Sequence, residues 1–333
     1  MKINNLKNIL LKGIITASIV STSVYADSNQ ILLENSWMNI GFSNAKDAML
    51  SGATTATGKG YSALFTNPAG LATNYAVGLY VRSGTLEHKN ATGATTEDSE
   101  LAKTSEVTSA DNTAIGLFYK YLVIESKKNV HNAIGLAYGF ETDYGIFSLG
   151  ANMVKDSTSE ENYKTFGTGD YKTVGFQWQK SFIGIDKFYS FYFGFSKKGQ
   201  GVKQFEDVQI YRVSPMVQRI GFGFETNIWS STILVSLDQS TQSWKHLDDS
   251  LDTTAIGLKW MPFSGFTIAL GHSTSTYNTQ IDLKDNTTNS VGLEFGIWQM
   301  NVAIAALQKE VLDNAGDIYI QENSVYADVS FAF

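Results

Sequence analysis

The chain contains no cysteine and only three prolines among its 333 residues. The missing thiols exclude disulfides, thiolate metal sites and a cysteine nucleophile. Basic residues are in the minority, with 25 Lys and Arg against 32 Asp and Glu, which argues against nucleic-acid binding. Beyond residue 26 no apolar run is long enough for a transmembrane helix. A soluble protein and a membrane β-barrel both remain open, because barrel strands place their apolar residues at alternate positions.

The first 26 residues are typical of a secretory signal peptide. Lys2, Lys7 and Lys12 precede a short apolar stretch at 13–20, and small residues lead to a predicted cleavage site after Ala26. A membrane anchor is the alternative, but a spanning helix needs about 20 apolar residues. Removing residues 1–26 would change the net charge from −7 to −10. We therefore expect an exported, acidic mature chain that begins at Asp27.

From Tyr75 to Phe333 the hydrophobic pattern has a period of two, which is typical of strands with one apolar face. Val291, Leu293 and Phe295, for example, alternate with Gly292 and Glu294. We predict strands near 75–86, 112–124, 131–141, 144–155, 170–182, 186–198, 207–225, 229–240, 252–260, 265–276, 287–297, 300–310 and 320–333.

The connections between these strands alternate between longer and shorter, as in an outer-membrane barrel with long external loops and tight periplasmic turns. Strand parity then requires one more strand, which we place in the poorly patterned region 87–111. Because bacterial barrels have an even number of strands, we expect an all-β, antiparallel transmembrane barrel of about fourteen strands, with twelve as the alternative.

Residue types at the two faces favour a barrel over a soluble β-sandwich. Polar residues alternate with apolar ones and would face a lumen: Lys120, Gln177, Gln179, Lys259 and Glu294. Aromatic residues near strand ends would form interfacial girdles: Tyr144, Tyr171, Trp178, Trp229, Trp260 and Trp298. An Ala-Ile-Gly-Leu echo begins at Ala114, Ala133 and Ala255, and we interpret it as a small inward residue beside a large outward one.

The C-terminus adds a further barrel signal. Val325, Val329, Phe331 and the terminal Phe333 share one face of the last predicted strand, whereas Asp328 and Ser330 share the other. This ending resembles the signal that the bacterial barrel-assembly machinery reads, with Val329, Phe331 and Phe333 as its residues. The resemblance implies that this machinery is a partner during biogenesis.

Signals for catalysis and for metal or cofactor binding are weak. His272 stands beside Ser273, but neighbouring residues of a strand point to opposite faces and cannot form a nucleophile and base pair. The histidines at 88, 131 and 246 have no partner at metal-ligand spacing. We therefore predict no catalytic residue, no metal site and no cofactor.

Residues 27–74 do not alternate like the rest and are rich in Gly, Ala and Thr. They contain Gly52-Ala53 and the run from Ser62 to Ala72, which includes Asn67-Pro68-Ala69-Gly70. This segment resembles the hatch signature of the long-chain fatty acid transporter family, of the FadL and TodX type. The resemblance implies three parts: a signal peptide at 1–26, a plug or hatch at 27–74, and an outer-membrane barrel at 75–333.

The resemblance also implies a function, namely passive uptake of long-chain fatty acids or other hydrocarbons, with lateral release into the membrane. Asn67, Pro68 and Ala69 would hold the bend of the hatch, and Gly52 and Gly70 would give its backbone freedom. Candidate cargo contacts are Leu64, Phe65, Phe118 and Tyr192, although each could instead pack the plug against the wall.

Two other classes of protein remain open. A PorV-type barrel carries a similar motif and serves protein secretion rather than uptake, and a secreted soluble β-protein is the third class. For a transporter, the partners would be outer-membrane lipid and a hydrophobic ligand, in the outer membrane of a Gram-negative bacterium. The sequence does not identify the cargo.

Overall fold

A computed structural model of the chain separates residues 1–39 from residues 40–333, and the described residues all lie in the second unit. They are 44–60, 63–73, 76–88, 95–108, 113–124, 127–156, 169–184, 187–205, 208–244, 249–278, 283–313 and 318–332. Of the described residues that fall within 73–131 or 202–214, and of a few at strand ends, only the backbone is described. The predicted signal peptide and the first part of the predicted plug, 27–43, lie outside the described residues.

The described N-terminal segment, residues 44–60 and 63–73, is mostly irregular. It holds two one-turn helices, α1 (Ala45–Ala48) and α2 (Ala63–Thr66), followed by a 3-10 helix at Pro68–Thr73. No helix among the described residues has both the length and the apolar character needed to cross a membrane.

The rest of the described chain is almost entirely β-structure. The strands are β1 (Ala76–His88), β2 (Thr95–Thr108), β3 (Thr113–Ile124), β4 (Lys127–Thr142), β5 (Gly145–Asp156), β6 (Tyr171–Ile183), β7 (Phe188–Lys198), β8 (Gly201–Phe205), β9 (Val208–Ser214), β10 (Met216–Ile228), β11 (Ser231–Trp244), β12 (Asp249–Phe263), β13 (Phe266–Asn278), β14 (Leu283–Ile297), β15 (Met300–Asp313) and β16 (Ile318–Ala332). The prediction of an all-β, antiparallel fold is confirmed.

Fourteen of the described strands form one sheet in the order β1-β16-β15-β14-β13-β12-β11-β10-β7-β6-β5-β4-β3-β2. The sheet closes on itself, since β1 pairs with β2 along one edge and with β16 along the other. The Val77 to Phe331 pair lies in this last ladder. The poorly patterned region predicted to hide a strand contains β2, which is paired on both sides.

The remaining two strands correct one sequence prediction. A single strand was expected at 207–225 after a loop at 199–206, but β8 and β9 form a separate hairpin between β7 and β10. Pro215 separates β9 from β10. Proline has no N–H for a ladder hydrogen bond and therefore ends a strand readily.

Burial alternates along the strands in the sense opposite to that of a soluble protein. On β4 the large residues Ile134 and Leu136 are 44% and 52% exposed, whereas Ala133 and Ala137 are buried. Polar residues such as Asn152 and Asp328 are also buried. A polar interior behind an apolar outer face is typical of a barrel wall in lipid. The exposed face of the sheet is called outward and the buried face inward.

Of the six aromatic residues predicted to form interfacial girdles, four are exposed and Tyr171 is buried; the girdle itself stays a prediction. Tyr144, Trp229 and Trp298 are highly exposed at short turns, and Trp260 lies on the outward face. Tyr171 was expected in a girdle but is buried, 4% exposed. It shares its face with the inward Thr173 and Gly175, so its parity along β6 decides its orientation rather than its place at the strand end.

Candidate functional site

The N-terminal segment begins with a helix that the sheet helps to cap. Asn44 Oδ1 accepts a hydrogen bond from the Asp47 backbone N–H at 2.9 Å, as an N-cap residue does. Asp328 on β16 accepts from the Ala45 N–H, also at 2.9 Å. Two of the unpaired N–H groups at the start of α1 are therefore satisfied, one of them by the wall.

Gly52 makes the turn that follows α1. Its φ of 85° lies in the left-handed region, which glycine adopts without steric strain. Its N–H donates to the Asp47 carbonyl at 3.1 Å, which closes the turn. This geometry is consistent with the predicted role of Gly52, which is to give the hatch backbone conformational freedom. Its part in hatch function stays a prediction.

The Asn67 side chain joins three parts of the structure. Its Nδ2 donates to the Thr55 carbonyl at 2.8 Å and to the Phe176 carbonyl of β6 at 2.9 Å. Its Oδ1 accepts a longer hydrogen bond of 3.3 Å from the Ala69 N–H. Asn67 is fully buried, so the loss of its amide would leave these carbonyls without this donor.

The rest of the motif packs closely around Asn67. Pro68 opens the 3-10 helix, where its fixed φ is suitable and its missing N–H matters little. Gly70 donates to the Asn67 carbonyl at 3.0 Å. A Cβ on Gly70 would overlap the Gly58 carbonyl oxygen and the Ala63 methyl group. The structure therefore brings Asn67, Pro68, Ala69 and Gly70 together as one bend.

Glycines of the wall form the surface on which this segment lies. A Cβ on Gly150 would overlap Pro68, one on Gly175 would overlap the Asn67 side chain, and one on Gly194 would overlap Thr55. Gly150 and Gly175 are direct cross-strand partners, and so are Gly194 and Gly221. We call these inward glycines, together with Gly135, Gly257, Gly271 and Gly292, the glycine belt.

The glycine belt explains the sequence echo. Gly135 and Gly257 are the glycines of two Ala-Ile-Gly-Leu copies, and Gly292 belongs to the related Ser-Val-Gly-Leu. A Cβ on Gly135 would lie 2.5 Å from Leu64 Cδ1, and one on Gly257 would lie 2.8 Å from Leu50 Cδ2. The echo therefore marks where the wall receives apolar side chains of the segment.

Polar side chains of the wall satisfy the irregular backbone of the segment. Asp238 Oδ2 accepts from the Thr54 and Thr55 N–H groups at 3.0 and 2.7 Å. Gln177 Nε2 donates to the carbonyls of Thr55 at 3.1 Å and Gly58 at 3.0 Å. Buried backbone groups outside regular structure need such partners.

Two further wall residues act in the same way. Ser196 Oγ donates to the Thr66 carbonyl at 2.6 Å, and Asn152 Nδ2 donates to the Leu64 carbonyl. Of these wall residues, sequence reasoning placed only Gln177 on the inward face. The inward parity of Asp238, Asn152 and Ser196 was readable, but nothing in the sequence indicated which polar residue meets the segment.

Charged contacts connect the segment to the wall nearer the short turns. Lys46 Nζ lies 2.6 Å from Glu294 Oε1 on β14. Lys59 Nζ lies 5.2 Å from the centre of the Tyr192 ring, and the Tyr192 hydroxyl donates to Glu225 at 2.7 Å. Protein atoms near its ammonium group desolvate it and lower the pKa of Lys59, and the nearby Glu225 acts in the opposite direction. Lys59 is nevertheless an exposed residue, so solvent reduces the size of this effect.

The predicted cargo contacts do not converge on one described cavity. Leu64 is buried against Gly135, so its observed contacts are with the wall. Phe65 and Tyr192 are buried as well. Phe118 lies on β3, where side chains are outside the described residues. A role in cargo binding stays a prediction for all four.

The C-terminal residues lie as their alternation predicts. Phe331 is exposed on the outward face of β16, next to the buried Ser330, and Val329 has the same parity. Phe333 lies outside the described residues. Recognition by the assembly machinery stays a prediction.

The outward face carries an apolar cleft of about 630 Å³ across β5, β6, β7, β10 and β11. Nine of its lining residues are outward: Phe147, Phe176, Trp178, Phe191, Phe193, Phe222, Phe224, Val235 and Leu237. The inward Tyr192 and Gly223, which are cross-strand partners, form its floor. The aromatic rings pack on one another, with Phe193 and Phe222 centroids 5.3 Å apart.

No protein-family model matches the chain, and a search of curated proteins finds no match. Among solved structures, the chain is similar to a FadL homologue of Pseudomonas aeruginosa, with a TM-score of 0.53, 10% identity, and coverage of 87% of this chain and 98% of that one. It is also similar to the toluene transporter TodX of Pseudomonas putida, with a TM-score of 0.43, 11% identity, and coverage of 86% and 97%.

The first comparison shows that this chain has a FadL-type fold. The likeness that the Asn67-Pro68-Ala69-Gly70 motif indicated is therefore confirmed at the level of the fold. Because identity is low, cargo and mechanism do not follow from the comparison.

Proposed function

We propose that this protein is an outer-membrane channel for passive uptake of hydrophobic small molecules, long-chain fatty acids or other hydrocarbons. One observation carries the proposal: within a FadL-type fold, the Asn67-Pro68-Ala69-Gly70 bend lies on a belt of wall glycines. In this proposal residues 1–26 are the signal peptide, 27–74 the hatch and 75–333 a fourteen-strand barrel.

The distribution of polarity supports a membrane location. The exposed face of the sheet carries large apolar and aromatic residues, and the buried face carries serine, threonine, asparagine and charged side chains. Val329, Phe331 and Phe333 would serve as the assembly signal.

The contacts of the segment support a closed resting state. Its buried backbone is bonded to side chains from β5, β6, β7, β11 and β16. Cargo would pass only when the segment shifts, and it would leave sideways into the membrane, as the resemblance implies. Tyr192 and Phe65 remain candidates to contact cargo near the segment.

The test is an uptake assay on the double variant Asn67→Ala with Pro68→Ala. We expect it to reach the outer membrane and to keep heat-modifiable migration on gels, but to lose uptake. Thr57→Ala is a matched control within the segment, because among the described residues the Thr57 hydroxyl makes a single long hydrogen bond, 3.5 Å to the Ala53 carbonyl. Unchanged uptake of fatty acid, alkane and aromatic probes by the double variant would contradict the hatch assignment.

A PorV-like barrel that transports nothing small is the second candidate. The density of hydrogen bonds between segment and wall favours it, since a permanently seated segment would need such bonding. Reconstituted wild-type protein that admits none of the three probe classes, yet is correctly folded in the membrane, would favour this candidate.

A further inference from the structure

A ring of polar side chains borders the outward apolar face on the long-loop side. On eight neighbouring or near-neighbouring strands, the first outward residue beyond the apolar ones is an amide, a hydroxyl or an imidazole. These residues are Asn132, Gln218, Gln239, Thr254, His272, Asn289, Gln308 and Asn323. They are linked through the ladders, and His272 Nδ1 lies 2.8 Å from Asn289 Oδ1. In a membrane, this ring would lie at the boundary between acyl chains and head groups.

Three consecutive strands break the pattern with lysine. Lys155 on β5, Lys172 on β6 and Lys197 on β7 occupy the same position in the ring, and all three are exposed. Lys172 pairs with Met153 and Val174 pairs with Lys197, so each lysine is a diagonal cross-strand neighbour of the next. Diagonal neighbours are roughly 7 to 8 Å apart, which long side chains can bridge to meet one ligand.

Within the described residues, none of these lysines forms an ion pair. The nearest carboxylate in sequence register is that of Asp170. Tyr171 pairs with Val154, so Asp170 comes next to Lys155 where the two strands end. Its Oδ1 accepts a hydrogen bond from the Asp156 N–H at 2.9 Å. Asp170 is thus one carboxylate at the lysine cluster, and a further outward carboxylate, Asp252 on β12, accepts from Thr241 at 2.6 Å. Among the ring positions whose side chains are described, lysine occurs only on β5, β6 and β7.

The apolar cleft lies on the same strands as the lysines. On β7, Phe193 lies at the edge of the cleft on the long-loop side. Lys197 is four residues further along the strand, with the outward Phe195 between them. Four residues of a strand span about 13 Å. A single lipid could therefore place its head group on the lysines and an acyl chain in the cleft.

We propose that Lys155, Lys172 and Lys197 bind the phosphate groups of a glycolipid of the outer leaflet, whose acyl chain occupies the cleft between Trp178 and Phe222. Three ammonium groups at a membrane boundary attract anionic head groups. Asn132 and Gln218 flank the lysines, and Gln218 is the direct partner of Lys197. Their amides suit the sugar hydroxyls of a glycolipid. This inference rests on the membrane location in the proposed function, but not on transport.

The test is binding of lipopolysaccharide to the full-length, delipidated protein in detergent. The triple variant Lys155→Gln, Lys172→Gln, Lys197→Gln should bind about 100-fold more weakly, at about fivefold for each lysine. The control Lys180→Gln with Lys187→Gln removes positive charge near the short turns and should bind as the wild type does. Binding should weaken with salt in the wild type and much less in the triple variant.

Two further arms identify the ligand. Dephosphorylated lipopolysaccharide should bind wild-type protein as weakly as intact lipopolysaccharide binds the triple variant. Lipopolysaccharide with brominated acyl chains should quench Trp178 in a variant that keeps only this tryptophan. Inorganic phosphate that displaces lipopolysaccharide fully at comparable concentration would indicate a free-phosphate site and overturn the proposal, and so would the absence of Trp178 quenching.

Failure of this inference can be separated from failure of the proposed function. Equal affinity of the wild type and the triple variant, in a protein that fractionates with the outer membrane, overturns the lipid site alone. We expect the triple variant to keep normal uptake of hydrophobic probes, because none of the lysines faces the segment. Wild-type protein that does not fractionate with the outer membrane would overturn both.

Discussion

Gly175 of β6 lies directly against the Asn67 side chain, so closely that a Cβ on the glycine would overlap Asn67 Oδ1. The next residue of the same strand, Phe176, accepts a hydrogen bond from Asn67 Nδ2 at 2.9 Å. One short stretch of β6 therefore both makes room for the motif and binds it.

Gly175→Ala should displace the N-terminal segment while leaving the sheet intact. The added methyl group meets a buried amide that is held from three sides, and such overpacking typically destabilises by about 1 to 3 kcal/mol. We expect a larger leak of small ions through the reconstituted protein, measured as conductance in planar bilayers. Gly184→Ala is the control, because among the described atoms a Cβ there would meet only the Lys187 carbonyl, at 3.4 Å. A conductance equal to that of the control would contradict the seating of Asn67 on Gly175.

Asp238→Ala should loosen the segment at Thr54 and Thr55. Hydrogen bonds to a charged acceptor contribute about 1.5 to 3 kcal/mol each. The Thr55 N–H would lose its bond to Asp238, whereas the Thr54 N–H would keep its 2.8 Å bond to the Gly52 carbonyl. Hydrogen–deuterium exchange should therefore be faster at Thr55 and change less at Thr54, with little change in the strands. Asp238→Asn keeps an acceptor oxygen and should show a smaller effect, whereas Gln239→Ala changes an outward neighbour and should show none.

Loss of the Lys46 to Glu294 ion pair should make opening easier without preventing folding. Both side chains are only partly exposed, 17% and 18%, so the pair is screened less than a surface pair. We expect Lys46→Gln to raise leak conductance and to reduce its dependence on salt. The swapped double variant, Lys46→Glu with Glu294→Lys, should restore much of the wild-type behaviour. A swap no better than the single variant would show that the charges do not act as a pair.

Lys59 should make seating of the segment depend on pH. Desolvation by nearby protein atoms lowers its pKa below the ordinary value of 10.5, so the seated state binds its proton less tightly than the unfolded chain does. The contribution of Lys59 is therefore unfavourable below the lowered pKa, and seating should become firmer as pH rises from there towards 10.5. Exchange rates at residues 54–60, corrected for the intrinsic pH dependence, should fall over this window in the wild type and not in Lys59→Met. Identical profiles for the two proteins would contradict this assignment.

The sequence predicts the wall well because its alternation is strong. In a strand, alternate residues point to the same face. Ile134 and Leu136 must therefore lie on one face of β4, and Ala133 and Gly135 on the other. The same parity places Tyr171 on the inward face, whereas its position at a strand end suggested a girdle. Pro215 could also have divided the strand predicted at 207–225.

The seat of the segment was only partly predictable. The motif at Asn67 to Gly70 identified the bend, since proline and glycine act through local geometry. Its wall partners depend on which strand lies behind which part of the segment. Asp238 is 183 residues away from Thr55 in sequence, and no local pattern encodes such a pairing.

The glycine belt makes the inward surface of the wall complementary in shape to the segment that lies on it. Each Cβ missing from the glycine belt corresponds to an atom of the segment, so neither partner can change its shape at these points unless the other changes as well. A run of inward glycines at one level of a barrel sequence could therefore reveal an enclosed segment, even where that segment carries no motif of its own.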